Sequence, residues 1–251
     1  MKATMQMAQR WILGAFSLVA FLVMWELLVR AMHVRPITLP PPSAVMSELF
    51  GEWRFYVDHA GYTLLTTMAG FMLAVLFGVL LATMLVGSKL FEHTVYPLII
   101  GLNSVPKVAI APLFVIWLGT GYEPKIAIAF LIALFAVIVD AAHGLRSVSS
   151  DVLDLGRVLK GSRLDFFLKV RLPGALPSIL AGMKVAISLA LVGAIVGEFV
   201  ASQRGLGYVI LSAQGTFDTT RVFAAVIVLA MMGLGLYGAL AWAERQLTPW
   251  R

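Results

Sequence analysis

Long apolar runs separated by short charged ones dominate this chain. Residues 60–88 and 222–243 contain no Asp, Glu, Lys or Arg, and each exceeds the roughly 20 residues that a helix needs to cross a hydrocarbon core. Residues 11–29 carry only Glu26, near one end, and residues 172–197 carry only Lys184. Residues 94–122 carry only Lys107 but are broken by Pro97, Pro106 and Pro112. The shortest run, 126–139, has 14 charge-free residues and must borrow Ala141 and Ala142 to cross. By length it reads equally as a buried or re-entrant helix. The pattern predicts an all-α polytopic membrane protein with about six spans, near 11–29, 63–86, 95–119, 126–142, 179–200 and 222–243, in one transmembrane domain over 1–251. The first run follows Lys2 and Arg10 as a signal peptide would. It outlasts the usual apolar region of about 7–15 residues and no small-residue cleavage site follows, so it reads as a retained span.

Two connections carry patterns of their own. After Pro36 and the run Pro40-Pro41-Pro42, Ser43 is a candidate N-cap. Met46, Leu49, Phe50, Trp53 and Val57 then fall on one helical face. That face is expected to pack on the bundle, with a place in the membrane interface as the alternative. Between Asp140 and Pro173, Ser149 or Ser150 is placed to cap a short helix with Val152, Leu155 and Leu159 on one stripe. Gly161 interrupts, and Ser162-Arg163-Leu164-Asp165 has the spacing of a capping box that restarts a helix. The loop therefore reads as two short helices whose apolar residues need a partner surface.

Composition agrees with the pattern. Sixty per cent of the 251 residues are apolar and 13% charged, against roughly 25% charged in soluble domains. The net charge of +6 does not point to nucleic acid, since no basic stripe with interleaved aromatics occurs. It records topology instead. With six spans and the N-terminus inside, eleven lysines and arginines lie on the cytoplasmic side and six outside, Lys125 and Arg204 among the latter. Both termini are thus expected in the cytoplasm. There is no cysteine, which excludes disulfides and thiolate metal sites.

Several chemistries are missing. The four histidines are scattered without ligand spacing, and neither a nucleophile elbow nor a phosphate loop occurs. Gly233-x-Gly235-x-x-Gly238 matches a dinucleotide pattern only nominally, because it sits inside an apolar span with no strand before it. Its small residues, like Gly193 and Gly197, are expected to permit close helix packing. An enzyme would need a catalytic set inside the spans, and none is visible. Energy for any uphill transport would not come from a nucleotide site in this chain.

Further motifs carry a family likeness. Ala142-His-Gly-Leu-Arg-Ser-Val148, Asp154 to Pro173, and Leu176-Pro177 through Gly205-Leu-Gly207-Tyr resemble the permeases of binding-protein-dependent ABC importers, closest to the nitrate/sulfonate/taurine branch. Leu39-Pro-Pro-Pro-Ser43 and the stretch from Pro106 to Gly119 resemble that branch too. The resemblance implies a type I importer bundle with a coupling-helix loop over 143–175, in the bacterial inner membrane. It further implies separate ATPase subunits that hold ATP and Mg, an extracytoplasmic solute-binding protein and, as half of a two-fold path, a second copy of this chain. Aligned from Leu172-Pro173, the family's Glu-Ala-Ala-x3-Gly signature falls on Asp154, Leu155, Gly156 and Lys160, with Gly161 one place later and Ser162 next. The resemblance assigns ATPase coupling to these residues. Gly161 is positioned to supply the turn that the family's glycine allows.

Charges inside spans cost about 2.5–3.5 kcal/mol on insertion scales and so need a reason. Lys107 lies beside Asn103 and Ser104 in the broken segment. These three are candidates for a translocation path that attracts an anionic solute, because freed backbone groups at a break need water or protein partners. Lys107 snorkelling from a span end is the competing reading. Glu198 is expected to pair with Arg204 near the outer surface. A self-sufficient secondary transporter or channel is the alternative function, although no internal repeat supports it.

Overall fold

The computed structural model describes residues 2–149, 152, 158 and 162–249. Helix α1 (Lys2–Ala31) leads through a turn to α2 (Pro42–Gly51), and α3 (Trp53–Gly87) follows after a one-residue break. Helix α4 (Lys89–Ser104), a single 3-10 turn (Lys107–Ile110) and α5 (Ala111–Leu118) form a broken unit bent by 83°. Helix α6 (Glu123–Arg146) precedes the longest connection between the spans. A turn of helix (Arg163–Phe166) and a π-helical stretch (Phe167–Arg171) then run into α7 (Leu172–Ala201). Helices α8 (Leu206–Gly215) and α9 (Thr219–Leu247) complete the chain. Among the described residues, four helices are long and apolar enough to cross a membrane, or five if the bent unit is one span.

Helix α6 is the centre of the bundle, packed between α3 and α7. Its 24 residues extend past the short charge-free run because Lys125 and Asp140 at its ends both find places against protein. Small residues bring the three backbones together. A Cβ at Gly193 would lie 2.6 Å from the Ala129 Cα, and one at Gly78 2.7 Å from a Val137 methyl. Phe71, Ala74, Ala133, Ala186 and Ala190 fill the shared core. This is the usual solution where lipid is as apolar as the side chains and only close packing favours association. Gly233 touches Leu191 through such a contact, but Gly235 and Gly238 face open space. Close packing at those two positions is therefore not seen within the chain.

Helix α7 begins at Leu172, ahead of the stretch near 179–200 read as a span. The Leu172 amide reaches the Phe167 carbonyl five residues back, and the wider π turn leads into a first helical turn where Pro173 needs no donor. Helix α2 begins with Pro41 as N-cap and no side-chain cap. Ser43 instead turns its amide (3.0 Å) and hydroxyl (2.7 Å) to Glu26 of α1. Met46, Phe50, Trp53 and Val57 are exposed, while Val45 and Leu49 pack inward with Leu206 and Ala224. The apolar stripe thus faces out, as an interfacial helix does. What turns α2 is polar: its Glu48 takes Arg221 of α9 at 3.0 Å and the Tyr56 hydroxyl at 3.2 Å.

Candidate functional site

The broken segment owes its shape to proline. Pro106 has no N–H to continue α4, and Val105 before it is extended (φ −72°, ψ 130°), as residues preceding proline are. The chain turns there and restarts in the 3-10 turn. Lys107 bridges the break: its ammonium donates to the Asn103 side-chain oxygen at 2.6 Å and the Asn103 carbonyl at 3.2 Å. It also lies 4.5 Å from the centre of the Phe135 ring of α6, a cation–π contact. Asn103 and Lys107 are thus joined directly, whereas the Ser104 hydroxyl donates to the Ile100 carbonyl at 3.2 Å. Asn103 and Ser104 are exposed and Lys107 is half-buried, so the polar break opens on one face of the bundle.

In the connection after α6, Asp154, Leu155, Gly156, Lys160 and Gly161 lie outside the described residues. Ser162 is described, and its hydroxyl caps the restarted helix as the spacing led one to expect. The Asp165 amide donates to Ser162 Oγ at 3.0 Å, and that hydroxyl donates to Asp165 Oδ2 at 2.6 Å. Asp165 also pairs with Lys169 at 2.8 Å.

The far end of the bundle holds a polar knot that the sequence did not reveal. Glu198 is 1% exposed and does not meet Arg204, whose carboxylate partner is Asp58 at 3.8 Å. Glu198 instead accepts the Thr63 hydroxyl at 2.8 Å and the Gly207 amide at 2.7 Å. Thr63 Oγ accepts the Leu206 amide at 2.8 Å, and His59 Nδ1 accepts the Gly205 amide at 3.0 Å. Three successive amides at the start of α8 are thereby satisfied by α3 and α7, as orphan N–H groups at a helix start require. Gly205 has φ +102°, and a side chain at this position would run into the Glu198 carboxylate.

Lys125, expected in an outer loop, is wholly buried, with its ammonium on the Thr120 (2.6 Å) and Gly121 (2.7 Å) carbonyls. Near the other end of the bundle, Lys184 donates to Glu244 of α9 at 2.6 Å. The lone charge in the fifth apolar run thus has its partner on the last helix. No grouping of three or more His, Asp or Glu side chains fit to hold a metal occurs among the described residues.

Residues 74–249 match the family model described as the binding-protein-dependent transport system inner membrane component. The chain belongs to that family. It is 35% identical to a probable ABC transporter permease protein of Haemophilus influenzae, over 88% of this chain and 90% of that protein. It is 32% identical to the formylaminopyrimidine transport permease protein ThiX of Halalkalibacterium halodurans, over 92% of both chains. The taurine transport system permease protein TauC of Escherichia coli is 31% identical, over 93% of this chain and 88% of that one. In fold it resembles a chain of the inward-facing MetNI methionine ABC transporter, with TM-score 0.70 at 17% identity over 79% of this chain and 98% of that one.

This chain is accordingly a membrane-spanning permease subunit of an ABC importer, not an enzyme, and its fold is the type I importer bundle. An ATPase subunit, which binds the nucleotide and its metal, and a solute-binding protein are its partners. The alternative of a self-sufficient transporter falls, because the family draws its energy from a separate chain.

Proposed function

We propose that two copies of this permease meet around the bent α4–α5 unit and that Asn103, Ser104 and Lys107 line the solute path between them. The observation that carries this reading is the break itself. It exposes the Asn103 amide and the Ser104 hydroxyl beside Leu102, Val105 and Val108, with the half-buried Lys107 ammonium next to them against Phe135 of α6. Polar groups freed by a break inside a membrane need protein or water against them, and a two-fold path supplies both. Lys107 holds the break closed through Asn103 and gives the path a positive charge, which suits a small organic anion. Taurine and formylaminopyrimidine are named for relatives; a small organic solute of this size class is proposed here.

Residues 143–175 dock on the ATPase, and Asp154, Leu155, Gly156, Lys160, Gly161 and Ser162 are the coupling residues. The capped, basic helix start at Ser162 supports this assignment. Both termini lie in the cytoplasm, as the excess of lysine and arginine on that side requires, and the polar knot around Glu198 lies outside.

The absence of cysteine from the chain makes the interface directly testable. A Val105→Cys variant in native membranes should form a disulfide-linked dimer on mild oxidation, whereas a Leu27→Cys variant on α1 should not. Dimers from Leu27→Cys and none from Val105→Cys would reject the interface.

A further inference from the structure

The connections α5–α6 and α7–α8 meet the end of α3 around an open hollow of about 460 Å3. Small-molecule sites commonly measure roughly 300–1,000 Å3. We propose that this hollow is a solute site at the outer mouth of the path and that it takes a small planar organic anion, with its ring against the Tyr62–Tyr122 pair and its charge on Arg204. The proposal rests on the orientation given above, which places this end of the bundle outside.

Tyr62 and Tyr122 stack on each other at 4.7 Å between ring centres and 28° between planes. The pair is thereby a fixed aromatic surface, and Tyr122 is exposed. Offset stacking is the favoured geometry for a third ring added to such a pair. Of the residues lining the hollow, Arg204 alone is charged. Its contact with Asp58 is 3.8 Å long with both side chains more than 60% exposed, so solvent screens it strongly. A guanidinium carries five N–H donors in a planar fork suited to a carboxylate, sulfonate or phosphate. The loop that presents it is held by a tight turn, with the Ser202 hydroxyl donating to the Arg204 carbonyl at 2.6 Å.

Apart from Asp58, in its long and exposed contact with Arg204, the nearby negative groups are committed elsewhere. Lys125 draws the Thr120 and Gly121 carbonyls onto its ammonium, so the floor of the hollow does not present their lone pairs to a ligand. Glu198 is buried against Thr63 and Gly207. Glu123 folds its carboxylate back on Gly121, near the Lys125 charge. What remains facing the hollow is an aromatic surface, hydroxyls and one cation.

The test is titration of the full chain in lipid nanodiscs with benzenesulfonate, read by saturation-transfer NMR, alongside cyclohexanesulfonate and benzyl alcohol. Benzenesulfonate should bind saturably and more tightly than either analogue. Arg204→Gln and Tyr122→Leu should each weaken it at least fivefold, while Tyr122→Phe, which keeps the ring, should retain it. Equal affinity in the Arg204→Gln variant, or no preference for the planar anion over cyclohexanesulfonate, would overturn the proposal. So would the absence of binding by a chain in which Arg204→Gln abolishes docking of the solute-binding protein, since the guanidinium would then serve that protein. Retained binding together with a failed Val105→Cys cross-link would keep the hollow and reject only the dimeric path.

Discussion

Glu198 of α7 accepts the Thr63 hydroxyl of α3 at 2.8 Å across 135 residues of sequence, and the same carboxylate takes the Gly207 amide at 2.7 Å. One buried side chain thus joins two spans to the start of α8. Its replacement has a definite expected result. Glu198→Leu leaves the buried Gly207 amide unpaired, at about 1–3 kcal/mol, and the Thr63 hydroxyl with only the His59 carbonyl at 3.3 Å. Glu198→Gln keeps one acceptor but sets an amide N–H against a donor. Thermal unfolding in detergent should rank wild type above Glu198→Gln and Glu198→Gln above Glu198→Leu; identical melts would show that the knot is not structural.

Gly205 tests the same region through the backbone. Its φ of +102° suits glycine alone, and a Cβ would meet the Glu198 carboxylate. Gly205→Ala should cost at least about 1 kcal/mol from conformation and displace the start of α8. Faster hydrogen exchange at the amides of 205–207 in this variant, with α6 unchanged, is the expected signature.

Lys184 and Glu244 form a mostly buried ion pair between α7 and α9 at 2.6 Å. Removing Glu244 strands the Lys184 charge, at about 3–5 kcal/mol. Glu244→Gln should be poorly inserted or unstable, and adding Lys184→Met to it should bring the protein closer to wild type. Additive losses in a double-mutant cycle would show no coupling.

The glycines divide by what they face. A Cβ at Gly193 would lie 2.6 Å from the Ala129 Cα, whereas one at Gly235 would meet nothing within 4 Å among the described residues. Gly193→Val should destabilise by about 1–3 kcal/mol or prevent assembly, as overpacking does. Gly235→Ala should leave the melting temperature within a degree or two. A reversed order would place the tight packing elsewhere.

Lys107 separates path from scaffold. Lys107→Met removes both the charge and the bonds to Asn103, whereas Lys107→Arg keeps a charge and donors. With the cognate ATPase and solute-binding protein present, uptake by Lys107→Met should fall severalfold and Lys107→Arg should restore most of it. Wild-type kinetics in Lys107→Met would remove this residue from the path.

Lys125 and Trp53 show where the residue pattern misleads. A lysine at the edge of an apolar run looks like a loop cation, yet Lys125 is wholly buried because two carbonyls from the preceding turn reach back to it. Periodicity grouped Trp53 with Met46 and Phe50 correctly, but could not say which way that stripe turns. The direction depends on Glu48, Arg221 and Glu26, which lie far apart in the chain and meet only in the fold.

By itself, the sequence determined membrane residence, the all-α class, the bend at Pro106 and the helix cap at Ser162, because each follows from local composition or from bonds a few residues long. Its motifs also carried the likeness to importer permeases. Only the tertiary structure decided the partners of the buried polar groups: Glu198 with Thr63 rather than Arg204, and Lys184 with Glu244. Within an apolar bundle every polar side chain seeks whichever partner packing brings near, and that depends on how α3, α6, α7 and α9 are arranged in space, which their spacing along the chain does not express.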